Sequence, residues 1–185
     1  MIACTFVYLI VDAYMNIVTK FTVATEQGIE ALSMLTKTLA LEKFGSLVEP
    51  AELDNYIVDS FNSKTLVSEI NSMSNQWLVV YANDQPMGYA RITSKGQKPD
   101  GLAGKRVIRI ADFGVCQHEA LQQMEASLMN KCLAVCSTYD VIWINEPLKS
   151  SLIGLFEQNG FVKQPGISRL DGLNLESAVY LMNTL

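Results

Sequence analysis

One stretch of the chain, residues 105–129, constrains the fold most because it joins a strand directly to a helix. Its first half is an apolar, β-rich run, and its second half carries apolar residues at helical spacing. A short polar link at residues 117–119 separates the two halves. Unpaired backbone N–H groups and the helix dipole favour an anion at such a helix start. The pattern therefore predicts an α/β unit with a candidate anion site, although most connections of this kind bind nothing.

Length and composition indicate one globular domain. The chain has 185 residues, 49% of them hydrophobic and 18% charged, which is enough to bury a substantial core. The net charge of −5 argues against nucleic acid and anionic membranes as partners. Four cysteines and one histidine are too sparse for a zinc site or a disulfide framework. We therefore expect no bound metal and buried, reduced thiols in a cytoplasmic protein.

The first 14 residues form an apolar extension ahead of a single domain at 15–185. The extension is β-rich, lacks a basic n-region and a cleavage site, and is too short to span a bilayer. We therefore expect neither a signal sequence nor a membrane anchor. An added strand, a loosely docked extension and a true start at Met15 remain alternatives.

The rest of the chain alternates between strand and helix patterns. Strands are predicted at 16–24, 76–81, 86–93, 107–115 and 141–144, and again after Phe161. Helices are predicted at 25–44, 50–61, 64–71 and 121–137, and from Pro147 onward. Residues 83–85 should form the turn of a hairpin. This order predicts an α/β fold, a mixed and mostly antiparallel sheet flanked by helices on both faces.

Several segments, in order, resemble the GNAT superfamily of acetyl-CoA-dependent N-acetyltransferases. They are PAELDNYIVDSFNSKTLVSEI with QWLVVYANDQPMGYARI, then VIRIADFGV, SSLIGLFEQNGFVK and AVYLMNTL. The resemblance covers residues 16–185 and is greatest to bacterial spermidine/spermine N-acetyltransferases. It implies acetyl-CoA as co-substrate and a small amine, such as a polyamine, as acceptor. It also admits a homodimer.

The resemblance implies a degenerate loop for the CoA pyrophosphate. The family's (Q/R)-x-x-G-x-(G/A) motif falls on residues 120–125, where Gln123 and Glu125 take the glycine positions. Like charges ~5 Å apart at an effective dielectric of about 20 repel by roughly 3 kcal/mol, or about a hundredfold in affinity. Glu125 should thus weaken pyrophosphate binding unless it turns outward or pairs with Lys131. The implied CoA-binding residues are Phe113, Val115, Leu121, Gln122, Gln123, Met124, Glu125, Ala126 and Lys149.

Acetyl transfer needs a base, donors that polarise the thioester carbonyl, and an acid. Asp112, His118 and Glu119 are candidate bases near the end of the central strand, although each could be an ordinary solvated or capping residue. Backbone at 113–115 could supply the donors. The family's tyrosine acid falls on Phe156, which has no proton to give. Glu146 could bind a cationic amine or merely support the helix expected after Pro147.

Two functional hypotheses follow. The first is an acetyl-CoA-dependent N-acetyltransferase acting on a small amine. The second is a catalytically inactive GNAT-fold binding or regulatory protein that has lost normal CoA binding, a reading that the altered loop and Phe156 favour. A different acyl or nucleotide ligand in the same groove is a further alternative. A catalyst requires an open V between the strands of Val115 and Trp143, not filled by Gln123, Glu125 or Phe156.

Overall fold

The computed structural model describes residues 15–184, so the extension expected at 1–14 lies outside the described residues. Within them the chain forms one mixed sheet with helices packed against it. The strands are β1 (Ile17–Phe21), β2 (Asn75–Ala82), β3 (Gln85–Thr93), β4 (Val107–Val115), β5 (Val141–Pro147), β6 (Val162–Lys163), β7 (Ser168–Arg169) and β8 (Glu176–Asn183). The helices are α1 (Glu26–Phe44), α2 (Pro50–Phe61), α3 (Ser63–Ile70), α4 (Leu121–Cys136) and α5 (Ile153–Gln158).

The strands lie in the order β1-β2-β3-β4-β5-β8-β6, with β7 also paired to β8. All pairs are antiparallel except β4 with β5. The expected fold class, a mixed and mostly antiparallel sheet, is therefore confirmed.

Helices cover both faces of the sheet, and β2 shows why. Its side chains alternate, as a pleated strand requires. Leu78 and Val80 face the core beneath α4 and α5, whereas Trp77 and Val79 face the core beneath α1, α2 and α3. The central strands are thus buried on both sides.

Local signals explain several element boundaries. The Thr25 side chain accepts a hydrogen bond from the Gly28 N–H at 3.2 Å and caps α1. Pro50 occupies the first turn of α2. Asn83 and Asp84 have φ values of 49° and 63°, the left-handed pair that a tight hairpin turn between β2 and β3 needs.

The parallel pair of β4 and β5 is short. It joins Val107 to Val141, Ile108 to Ile142 and Arg109 to Trp143, and no later pair is formed. Beyond that point β4 stays with β3, and β5 stays with β8. The two central strands therefore part and leave a V-shaped opening at their carboxyl ends.

The prediction that Pro147 starts a helix is wrong. Pro147 ends β5 opposite Ser177, and α5 begins only at Ile153. The Leu148 N–H donates to the Glu176 carbonyl on β8 at 3.2 Å, so the neighbouring nitrogen of Pro147 faces the other side. Because β4 has already left that side, a residue without an N–H costs no ladder hydrogen bond there.

Within residues 15–184, no helix combines the length and apolar character that a membrane crossing demands.

Candidate active site

A cleft of about 480 Å³ opens where β4 and β5 part. The carboxyl end of α1 and one side of α2 form one wall, and β3 and β4 form its floor. The first turn of α4 and the segment after β5, residues 149–152, close the opposite wall. The expected V is therefore open.

Backbone donors of β4 face this opening. The Cys116 N–H donates to the Met87 carbonyl at 2.7 Å, on the β3 side. Because N–H groups alternate between the two edges of a strand, those of Phe113 and Val115 are directed to the edge that β5 has left. Both residues line the cleft. Either of these N–H groups can donate to a carbonyl oxygen held in the cleft.

The first turn of α4 presents further donors. The Ala120 N–H donates to His118 Nδ1, and the Leu121 N–H donates to the His118 carbonyl, both at 3.1 Å. The backbone N–H groups of Gln122 and Gln123 have no acceptor among residues 15–184. Because α4 is 16 residues long and no side chain caps its start, these amides and the helix dipole favour an anion.

The residues expected to hold CoA fall into two groups. Gln123 and Ala126 are exposed away from the cleft, and Met124 is fully buried in the core. The others line the cleft, and they are Phe113, Val115, Leu121, Gln122, Glu125 and Lys149.

Among these lining residues, Glu125 disfavours an anion at the start of α4. It is half-buried, has no ion-pair partner among the described residues, and burial raises the pKa of its carboxyl. Lys131 does not pair with it; the Lys131 ammonium lies 5.2 Å from the centre of the Phe21 ring instead. The Glu125 carboxylate therefore remains beside the helix start without compensation.

Asp112 lies on the β4 part of the cleft floor and takes part in a chain of ion pairs and hydrogen bonds. Arg91 Nε donates to Asp112 Oδ2 at 2.7 Å, and the other end of the guanidinium lies 3.4 Å from Glu69. Asp112 is the main reason that the pKa of Arg91 is raised. Burial alone would raise the pKa of Glu69, but hydrogen bonds from Lys95 and Asn75 outweigh it and lower that pKa. Asp112 is thus held in one position while it faces the cleft.

The other two candidate bases lie elsewhere. His118 and Glu119 are exposed in the loop before α4, and neither lines the cleft. His118 Nδ1 accepts a hydrogen bond from the Ala120 N–H, so the imidazole ring stabilises the turn that precedes α4.

Glu146 is buried, with 4% of its surface exposed, and does not line the cleft. Its Oε1 lies 2.7 Å from Lys43 Nζ, which does line the cleft. The Glu146 carboxylate is therefore already compensated, and it lies in β5 rather than at a helix start.

Phe156 is only 1% exposed and belongs to the core. Its ring lies edge-on to Phe113 and Phe161, each at 5.7 Å between centroids. Neither Phe156 nor Gln123 lines the cleft, so neither fills it.

Two tyrosines that line the cleft are not identified as site residues by the sequence. Tyr56 of α2 and Tyr89 of β3 both line the cleft. Burial is the main cause that raises the pKa of each phenol, and the nearby carboxylate of Asp112 adds to it. The spacing of Tyr56 in α2 marks a core-facing position, and nothing in the sequence distinguishes a cleft from the core behind it.

The charges of the cleft are not fully balanced. Asp112 and Lys43 have opposite charges beside them, in Arg91 and Glu146. Two further carboxylates, Glu42 and Glu125, line the cleft without an ion pair among residues 15–184, against the single cation of Lys149. No group of three metal-binding side chains occurs in the part of the chain that the structure describes.

Comparison with known proteins gives structural likeness without sequence likeness. No family model matches the chain, and no curated protein matches it. The PaiA N-acetyltransferase from Thermoplasma acidophilum, solved with coenzyme A, has a TM-score of 0.71 at 10% identity, over 91% of this chain and 99% of that one. FeeM, an N-acyl amino acid synthase from uncultured soil microbes, has a TM-score of 0.69 at 12% identity, over 94% and 93%. An aminoglycoside 6'-acetyltransferase of type Ii has a TM-score of 0.63 at 12% identity, over 91% and 97%.

These likenesses extend over nearly the whole of each chain. They show that this protein has the fold of the GNAT N-acetyltransferases, as the sequence segments had indicated. The V between β4 and β5 and the free helix start of α4 are features of this chain's own geometry.

Proposed function

We propose that the protein is an acetyl-CoA-dependent N-acetyltransferase that acts on a small amine. The observation that carries the proposal is that β4 and β5 part beside a helix start. There, the backbone N–H groups of Gln122 and Gln123 have no acceptor among residues 15–184. An open strand edge and an anion-binding helix start, joined by one cleft, are what a thioester with a phosphate-bearing carrier requires.

The residues at the helix start suit the phosphate of acetyl-CoA, with the exception of Glu125. The two unpaired backbone N–H groups offer hydrogen-bond donors to phosphate, and Lys149 offers positive charge, whereas the Glu125 carboxylate repels it. We infer that the glycine-free helix start, with Gln123 and Glu125 at the expected glycine positions, weakens this contact rather than abolishing it. Gln123 supports this because its side chain does not enter the cleft.

The chain's own groups have defined parts in this proposal. Acetyl-CoA, when bound, supplies a thioester-activated acetyl group. The N–H groups of Phe113 and Val115 lie about 6.6 Å apart along the strand, so one of them would hold the thioester carbonyl oxygen and stabilise negative charge there, and the other would remain for a second acceptor. Asp112 would accept the proton that the acceptor amine must lose, through the carboxylate oxygen that does not bind Arg91. Of the three candidate bases, Asp112 is favoured because it alone lines the cleft.

A cationic acceptor is part of the proposal. On the wall opposite the helix start, the carboxylate of Glu42 has no ion pair among residues 15–184 and favours an ammonium group there. A polyamine has this chemistry. Glu146 contributes less because Lys43 already neutralises it. The thiols of Cys116, Cys132 and Cys136 are free, which supports the proposed cytoplasmic location.

Calorimetric titration with acetyl-CoA is the first test. We expect binding with a dissociation constant of about 1–100 μM. Release of free CoA should then depend on an added amine, with spermidine as the probe and a tertiary amine, which has no N–H to replace, as the control. Failure to bind at about 1 mM acetyl-CoA would contradict the proposal and favour the inactive GNAT-fold alternative.

A further inference from the structure

A second cavity, of about 270 Å³, lies against the sheet. Side chains of β4, β5 and β8 form its floor, and the loops around residues 97–100 and 168–171 form its rim. No residue lines both this cavity and the cleft. We refer to it as the Arg109 cavity, because Arg109 is its most buried charge.

Arg109 is a buried cation with an unmet donor. Its surface is 6% exposed, and its guanidinium lies 4.5 Å from the centre of the Trp143 ring. Its Nη1 pairs with Asp171, but its Nε has no acceptor among the described residues. A buried donor without an acceptor is costly, so this group favours a further acceptor, and a carboxylate suits the fork of a guanidinium best.

The ion-pair partner of Arg109 is unusually exposed. The Asp171 side chain is 71% exposed, against 7% for that of Arg109. A carboxylate that stays largely in water gains little from the pair. A carboxylate from solution can therefore exchange with Asp171 at low cost, while Arg109 remains fixed by its stacking on Trp143.

Asn145 adds an unmet acceptor to the same cavity. Its Nδ2 donates to the Arg169 carbonyl at 2.8 Å, which fixes the orientation of the amide. Its Oδ1 is then buried without a donor among residues 15–184. The Ser168 side chain also lines the cavity. A ligand complementary to this cavity thus needs one anionic acceptor and one hydrogen-bond donor.

We propose that the Arg109 cavity binds small carboxylates that carry a hydroxyl or ammonium group beside the carboxylate. The carboxylate takes the place of Asp171 on Arg109, and the hydroxyl or ammonium group donates to Asn145. Lys98 at the rim adds positive charge, and Asp100 opposes it in part. The proposal does not depend on acetyl transfer in the cleft.

The test uses the full chain labelled with ¹⁵N and follows the indole N–H signals of its two tryptophans by NMR. Trp77→Phe assigns the signals. Lactate and glycine are the probes, and acetate, which lacks the second donor, is the comparison. We expect the Trp143 signal to move and saturate by about 10 mM lactate or glycine, and to move less with acetate. No movement, or equal affinity for acetate, would overturn the proposal.

Two variants make the test specific. Asp171→Asn removes a tethered competitor whose effective concentration is in the millimolar range, so affinity should rise about tenfold. Asp54→Asn makes the same charge change at an exposed site on α2 and should leave affinity unchanged. Arg109→Lys keeps the charge but loses the planar fork and should weaken binding by about tenfold. If Asp171→Asn fails to tighten binding, the exchange mechanism is wrong, whether or not Arg109→Lys folds.

Discussion

Phe113 and Phe156 meet edge to face, with their ring centroids 5.7 Å apart. This contact joins α5 to β4 within the core beneath α4 and α5 and keeps the Phe156 ring out of the cleft. The position that resemblance assigns to a catalytic tyrosine is therefore a packing position in this chain.

Phe156→Tyr should destabilise the protein without creating a catalytic acid. The new hydroxyl would be buried against Phe113 and Phe161, where an unpaired hydroxyl costs about 1–3 kcal/mol. Urea unfolding measures the cost. Phe156→Leu, which brings no polar atom, serves as the control for altered packing. A gain in turnover with spermidine would show instead that the hydroxyl reaches the reacting atoms.

Glu125→Gln should tighten acetyl-CoA binding by about tenfold. This is less than the roughly hundredfold expected for like charges ~5 Å apart, because water and salt screen the half-exposed carboxylate. Glu119→Gln is the matched control, since it removes the same charge from an exposed residue outside the cleft. Calorimetry at moderate salt compares the two. Equal effects of the two changes would mean that Glu125 has no special relation to the phosphate position.

The raised pKa of Glu125 also predicts a pH dependence of stability. At low pH the carboxyl is protonated in both folded and unfolded chains, so Glu125→Gln should change little. As pH rises past the ordinary carboxyl value of 4.5 and through the raised folded pKa, the wild-type chain pays for a desolvated charge. The stability advantage of Glu125→Gln should grow over that range and then level off. Urea unfolding at a series of pH values measures it, and a difference that shrinks with pH would contradict the assignment.

Most of the fold could be predicted because its signals are local. The periodicity of α4, the capping residue Thr25 and the turn at Asn83 each depend on neighbours within a few positions. Pro147 shows the limit. It is compatible with a helix start in isolation, and only its pairing with β8, far along the chain, makes it the end of a strand.

The site was less predictable because long-range pairing assembles it. Asp112 was identified from its place on the central strand, but its partner Arg91 is 21 residues away and is brought opposite by the β3–β4 register. The two tyrosines that line the cleft have the spacing of core residues. Glu146 looked like an available carboxylate because the sequence does not show that Lys43 lies beside it.

Asp112→Asn should lower kcat by about a hundredfold to a thousandfold with little change in the affinity for acetyl-CoA. The amide cannot take the amine proton, although it can still accept a hydrogen bond from Arg91. Arg91→Lys should weaken the positioning of Asp112 and shift the pH–rate profile rather than abolish turnover. His118→Gln is the comparison, because His118 lies outside the cleft. If His118→Gln has the larger effect on kcat, Asp112 is not the base.

Gly88→Ala tests whether the close approach of β3 to β4 supports the cleft floor. A Cβ on Gly88 would lie 2.6 Å from the Gly114 carbonyl oxygen and 2.8 Å from Val115 Cα, both backbone atoms that cannot turn aside. Forcing them apart should cost about 1–3 kcal/mol of stability and weaken acetyl-CoA binding, because Val115 carries one of the proposed donors.

Gly154→Ala is the matched control for this change. Gly154 lies in α5, and apart from its chain neighbours and its own helix backbone nothing lies within 4 Å of an added Cβ, so alanine there should stabilise the helix by about 0.5–1 kcal/mol. Urea unfolding and calorimetry on both variants separate the effects. If Gly88→Ala unfolds and binds like Gly154→Ala, the contact between β3 and β4 is too soft to position Val115, and the strand edge cannot act as a preorganised donor site.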